Sequence, residues 1–467
     1  MDGPKLRTHL EEAKEPSQPL LMRDTLVAGG AYRENRHMAT ADLTQTLSAR
    51  SIWERQVVSW FWESYAPSTR LAGDSNSGSI WLYHAIQVAD PVPVLEQALL
   101  ALSMTRYGRV KGNLDLIKRG QRTYGIALNL LQKALYDDAL MKNDETLASV
   151  RALVLYELFE STSTNASAWH QHLAGITTLM ASRGPEMHCS PMARTVLEDI
   201  RYALMLKALM LHKSSIFGHE DWLHIPWRDR PKSTEQQLYD HGFQLAAILE
   251  RADSLEDPSL EARNILVLCT DLLEACHRLQ QQLETLFTNA FKSFLQERSS
   301  AWRSSVDQIP DPSTLNSADI GQLLIVLNLW GCQLLLGFAA KALRARINAT
   351  INLHPGLTAD RPAMNALCGN FASYSDQDAL SDIAHALLRY LPLCFGNETN
   401  EFAPSRTIFP VTCILWQFRY SKPEFRQTMT LMRSIIKARD VRFAQLGHSV
   451  IGWLPYIARD EGGLWTA

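Results

Sequence analysis

The chain has 467 residues, 46% of them hydrophobic and 20% charged, with a formal net charge of −3. This composition supports a large packed core and excludes a disordered chain. The small net charge provides no global attraction to nucleic acid, and no cluster of five or more Lys or Arg provides a local one.

The first residues, MDGPKLRTHLEEAKEPSQPLLMRD, mix both charges around no apolar centre, so they do not read as a secretory signal. The acceptor sites Asn165, Asn348 and Asn397 are then expected to stay unglycosylated. The seven cysteines (Cys189, Cys269, Cys276, Cys332, Cys368, Cys394 and Cys413) are odd in number and form no Cys-x-x-Cys pair. Structural disulfides are not expected, and a reducing compartment fits.

Residues 1–45 are polar and weakly patterned, which predicts a mobile N-terminal arm. Helical periodicity dominates from residue 46 to about 460. Trp53, Val57, Trp60 and Phe61 open the packed region, and STRLAGDSNSGS reads as a loop. The next helix has Pro93 in its first turn and is expected to end near Gly108. Tyr124, Leu128, Leu131 and Leu135 share one face of the helix after that. Asp144 is a candidate N-cap for the stripe Leu147, Val150, Val154 and Leu158.

Further helices are predicted over 193–216, 235–252, 260–297, 318–350, 378–391 and 422–447. A loop is expected over about 354–376. The segment DQIPDPSTLNSAD interrupts the helices near 300–318, where the bundle can divide. No strand pair with a hairpin turn is evident, so the expected fold class is all-α, a large irregular multi-helix domain. Residues 320–340 carry no charge and are long enough to span a bilayer. The recurring Gln322, Asn328 and Gln333, with Gly321, Gly331 and Gly337 suited to close packing, favour a buried core helix instead.

The segment WHQHLAGITTLMASRGPE, residues 169–186, looks most like chemistry. His170 and His172 would converge on one metal from a strand, but on a helix they point about 200° apart. Trp169, Leu173, Ile176 and Met180 recur on one helical face, so architecture is the better reading. Gly175 is expected to let the helix at 145–160 approach closely, which makes Gly175→Leu an overpacking variant. Arg183-Gly184-Pro185 reads as a helix stop: a cation in the last turn, Gly at C′, then Pro.

Cys269, Cys276 and His277 lack zinc spacing. The Gly-Asp-Ser of AGDSNSG (72–78) lacks the preceding strand that a nucleophile elbow needs, and no phosphate-binding glycine-rich loop occurs. A terpenoid-synthase-like reading would use Asp137, Asp138 and Asp144 for magnesium. Met141 stands where a third aspartate belongs, and a helix end, polar loop and N-cap explain the same residues.

Five further stretches occur in order: ALLALS (98–103), YGIALNLLQKAL (124–135), DETLASVRALVLYELFE (144–160), the 169–186 segment, and RYALMLKALMLHKSSIFGHEDWLHIPW (201–227). With CFGNETNEFAPSRTIFPVTCILW (394–416), they resemble the regulatory, middle-homology domain of fungal zinc-binuclear-cluster transcription factors. The signature is carried by Trp169, His172, Leu173, Gly175, Arg183, Gly184 and Pro185.

The resemblance implies an all-α fold, a nuclear setting and control of transcription, often of metabolic or secondary-metabolite gene clusters. It implies partners among other transcription factors or a second copy of the chain, and a small-molecule effector. In that family an N-terminal zinc cluster of six cysteines holds DNA. Here the first cysteine is Cys189, so no zinc ligand carries over, no cofactor is expected, and direct specific DNA binding by this chain alone is not expected. Three explanations follow: a regulator acting through other factors, a gene model missing an upstream exon, or a helical scaffold recruited as an enzyme or ligand-binding protein of secondary metabolism.

Overall fold

The computed structural model describes residues 52–65, 80–160, 167–296, 319–354, 361–370, 375–395, 402–419 and 423–430, with a few single positions between 312 and 357. Side chains at 167–170 and 290–296 are outside that description. The predicted N-terminal arm, the Gly-Asp-Ser loop, most of the 300–318 break and the helix beyond residue 430 lie outside the described residues. Among the described residues every regular element is helical.

In chain order the α-helices are α1 (Ile52–Tyr65), α2 (Ile80–Ile86), α3 (Pro93–Lys111), α4 (Leu114–Leu135), α5 (Asp138–Lys142), α6 (Asp144–Glu160), α7 (Ser167–Arg183) and α8 (Pro191–Leu211). They continue as α9 (Glu220–His224), α10 (Thr234–Asp253), α11 (Ala262–Gln296), α12 (Ile320–Leu353), α13 (Arg361–Asn370), α14 (Gln377–Tyr390), α15 (Phe402–Ser405) and α16 (Ile408–Gln417).

In the first half α3 packs against α1, α4 and α6, and α6 packs in turn against α4, α7 and α8. From α8 the packing passes through α10 to α11 and α12, and then to α14 and α16. Buried side chains from Val57 to Phe418 form one continuous cluster. Helix α6 is buried almost all round, with thirteen of its seventeen residues inside. That explains why its apolar residues fill every face rather than one stripe.

Several boundaries differ from expectation. Helix α3 runs past Gly108 to Lys111 and stops at Gly112, whose φ of +65° is left-handed. Gly108 lies inside the helix against Ile117. Helix α4 begins at Leu114, ten residues before the apolar stripe, because Asn113 caps it by accepting from Leu116 N at 3.0 Å. Within the predicted 354–376 loop stands α13.

The long apolar helix α12 could cross a membrane by length and composition alone, but its most apolar window is 78% buried inside the protein. It is a core helix. Gly331 brings it against Phe409, whose ring would lie 2.8 Å from an added Cβ, whereas Gly321 faces open space.

Candidate functional site

The signature segment forms α7 and the turn after it. Leu173, Ile176 and Met180 are fully buried, as their spacing predicts. Gly175 is not a packing glycine: it is exposed, and a Cβ there would meet nothing within 4 Å. The close approach occurs elsewhere, between α3 and α4. At Gly120 of α4 an added Cβ would lie 2.9 Å from the backbone nitrogen of Thr105.

The helix stop forms as expected, with Pro185 opening a 3-10 turn, Pro185–His188. Gly184 adopts φ +73° and ψ 163°, a glycine-only region rather than the left-handed helical cap.

Arg183 departs from the expected role at its own helix end. Its side chain is fully buried and crosses to the turn between α5 and α6. There it donates to the carbonyls of Lys142 and Asn143, the latter at 3.1 Å, and to the carboxylate of Asp144. Ser190 Oγ also donates to Asp144, and it caps α8 by accepting from Ala193 N at 3.2 Å. Asp144 is therefore an ion-pair partner; the N-cap of α6 is Asn143, which accepts from Glu145 N at 2.8 Å. His188 lies beneath this knot, with Nδ1 2.9 Å from the Gly184 carbonyl and its ring on Trp222. Burial pushes its pKa down to about 4.

The aspartates of the enzyme reading do not share a task. Asp137 caps α5 by accepting from Ala139 N and Leu140 N, Asp138 begins that helix, and Asp144 holds Arg183. Among the described residues no group of three His, Cys, Asp or Glu is placed to hold a metal. All seven cysteines are free, and burial pushes the thiols of Cys269, Cys276, Cys332 and Cys394 up to about 12, which leaves them unreactive.

His172 has a different set of neighbours. Its Nε2 lies 3.1 Å from the Tyr124 hydroxyl on α4 and 3.6 Å from Glu157 Oε1 on α6. Tyr124 donates to Glu157, and its ring stacks on Tyr156 at 4.2 Å between centroids. Burial works against the Glu157 carboxylate, but hydrogen bonds from His172 and Tyr124 outweigh it and lower the pKa. All three groups keep some contact with solvent.

Deeper in, Asp199 on α8 is fully buried between two guanidinium groups, Arg151 of α6 and Arg406 of the α15–α16 turn. Arg406 Nη2 lies 2.6 Å from Asp199 Oδ1, and the Arg406 guanidinium also donates to the Asp199 backbone carbonyl. The backbone carbonyl of Arg406 accepts from Tyr202 Oη at 2.9 Å and from Asn328 Nδ2 at 3.1 Å. Beside it, Arg201 bonds Gln236 and Asp240 while lying over Trp227 and Phe243. Of these residues the sequence singles out Asn328 alone, as a polar residue of a core helix. The signal of the others is an Arg or Asp inside an apolar helical run, as in ASVRALVLY and VLEDIRYALML.

Residues 52–337 match the family described as the fungal specific transcription factor domain. The chain belongs to that family. Over 125 residues it is also 29% identical to an uncharacterised protein of Emericella nidulans, a match covering 27% of this chain and 26% of that protein. No solved structure matches.

Within the fungal specific transcription factor domain the matched stretch includes the Arg183 knot, the His172 cluster, Arg151, Asp199 and Asn328. Arg406 lies beyond it. The segment carrying Arg406 nevertheless reaches the interior of the matched stretch and is bonded there by side chain and backbone.

Proposed function

We propose that this protein regulates transcription of a metabolic gene cluster from within the nucleus, through contacts with other regulators or an effector rather than by its own grip on DNA. The observation that carries this reading is the family match over 52–337, which coincides with a packed helical unit. One sequence fact supports the mode of action: the net charge of −3, which gives no global attraction to DNA. The described helices as far as α16 act as one regulatory unit in this reading, because Arg406 fastens the α15–α16 turn to α8.

A test fuses the chain to an unrelated DNA-binding domain upstream of a reporter in a fungal host. The expected result is a change in reporter output that depends on the fused chain, with a fluorescent fusion in the nucleus. Unchanged output from a well-expressed fusion overturns the regulatory reading. Tight, sequence-specific promoter binding by the purified chain alone overturns the indirect mode.

A further inference from the structure

Helix α4 has an inner and an outer side. On the inner side Leu116, Ile117, Gly120 and Ala127 are buried, with Gly120 against the Thr105 backbone of α3. The opposite side carries Lys118, Arg122, Ile126, Lys133 and the capping residue Tyr136. They follow at spacings of 4, 4, 7 and 3 residues, which keeps them on one side of the helix. At a rise of about 1.5 Å per residue, the strip from Lys118 to Tyr136 is about 27 Å long.

Two observations set this strip apart. Among the described residues ten large apolar side chains are exposed, and five of them fall between residues 114 and 140: Leu114, Ile126, Leu135, Tyr136 and Leu140. Tyr136 is the most open of the ten, at 86%. Exposed apolar side chains gathered in one region mark an interaction surface, whereas scattered ones need no explanation. Helix α4 also carries four cations, Lys118, Arg119, Arg122 and Lys133, against one anion, Asp115. Arg119 is engaged by Glu54 at 3.3 Å and lies over Trp53. Lys118, Arg122 and Lys133 are exposed.

Cations beside exposed apolar side chains suit an anionic partner that has apolar side chains of its own to bury. A nucleic-acid backbone gains nothing from Ile126, Tyr136 or Leu140. An extended array of phosphates, whether of nucleic acid or of a lipid surface, also meets Asp115, Asp137 and Asp138 along the strip. A peptide places its carboxylates singly and can leave those aspartates alone.

We propose that the outer strip of α4, with the α4–α5 corner, docks an acidic amphipathic segment of another regulatory protein. Its carboxylates meet Lys118, Arg122 and Lys133, and its bulky apolar residues cover Ile126, Tyr136 and Leu140. A helical segment of about 18 residues matches the length of the strip. The inference rests on the reading that this protein works through contacts with other regulators, and it supplies the chemistry of the partner.

The experiment is fluorescence anisotropy of the full chain with a labelled synthetic peptide of about 18 residues, built of Glu and Leu so that Leu fills one helical face. Saturable binding is expected, weakening about tenfold between about 50 and 300 mM salt. A scramble of the same composition, which has no apolar face, should bind about tenfold more weakly. Lys118→Glu combined with Arg122→Glu should lower affinity about tenfold, and Tyr136→Ala about fivefold at either salt. These positions are exposed, so the melting temperature should hold and separate lost docking from lost folding. No binding, equal binding of the scramble, or undiminished binding by both variants overturns the proposal. So does tighter binding of duplex DNA or of phosphatidylserine vesicles through the same residues, or a dimer of the chain that these variants dissolve in sedimentation. The reporter fusion separates the two readings. If the peptide does not bind while the natural fusion changes reporter output, the docking site falls and the regulatory reading stands. If the peptide binds as described and the natural fusion leaves output unchanged, the docking site stands and the regulatory reading falls.

Discussion

Two buried arginines tie distant parts of this fold together, and their anions differ. Arg183 and Arg406 are each nearly or fully buried, and each binds backbone carbonyl oxygen and one aspartate. Asp144, the partner of Arg183, keeps 30% of its side chain exposed, whereas Asp199, the partner of Arg406, keeps none and is shared with Arg151. The donor inventories are alike, but water can replace one carboxylate and not the other. The cost of breaking each knot should follow the exposure of the anion rather than the number of hydrogen bonds.

The largest effect should therefore come from Asp199→Ala. It removes the buried anion that Arg151 and Arg406 share and should destabilise the protein by about 4 kcal/mol, read as a lowered denaturant midpoint. Combining it with Arg406→Met should recover part of that loss, because one of the two buried cations that shared Asp199 is gone with it. If the single and double variants unfold together, the shared-anion account is wrong.

Next comes acid sensitivity at the Arg183 knot. Burial holds the folded pKa of His188 at about 4, below the ordinary histidine value of 6.5, so the unfolded chain takes up the proton first. This contribution is flat above about pH 6.5 and costs stability as pH falls from there towards 4, by about 3 kcal/mol in all. His188→Gln should flatten that part of the stability profile, measured by urea unfolding at stepped pH. An unaltered profile would mean that the ring is not desolvated as its burial implies.

Arg183→Met should cost about 2 kcal/mol, since it leaves the Lys142 and Asn143 carbonyls short of a donor. Asp144→Ala should cost about 1 kcal/mol, because water reaches the vacated place and the Arg183 donors keep their carbonyls. The ordering Asp199, then Arg183, then Asp144 is the sharper test of the comparison. Thermal melts that place Asp144→Ala beside Asp199→Ala would break it.

The helical fold was largely legible in the sequence, because periodic apolar residues report which face is buried. The predicted spans at 235–252, 260–297, 318–350 and 378–391 fall within a few residues of α10, α11, α12 and α14. The first turns of α4 were missed because LDLIKRGQR is too polar to show a stripe, and a side-chain cap at Asn113 starts the helix. At the candidate site, the burial of Leu173, Ile176 and Met180 was legible for the same local reason. The roles of His172, Arg183 and Asp144 were not, since their partners lie tens of residues away in the chain and no spacing rule reaches them. Arg406 and Asp199, 207 residues apart, are the extreme case.

Glycine shows the same limit at the smallest scale. In sequence Gly175 and Gly120 look alike, each a glycine within a helix. In the fold Gly120 sits against the Thr105 backbone, and Gly175 faces open space. An added methyl at Gly120 must displace main chain of α3, which should cost about 2 kcal/mol. At Gly175 nothing has to move, and alanine removes the conformational freedom that glycine gives the unfolded chain. Gly175→Ala should therefore stabilise the protein by about 0.5–1 kcal/mol. The gain should appear as a small rise in Tm with protection spread along α7, and Gly175→Leu should fold without an overpacking penalty. A lowered Tm in Gly175→Ala would mean that a partner or a neighbouring segment occupies this face of α7 and needs the glycine bare.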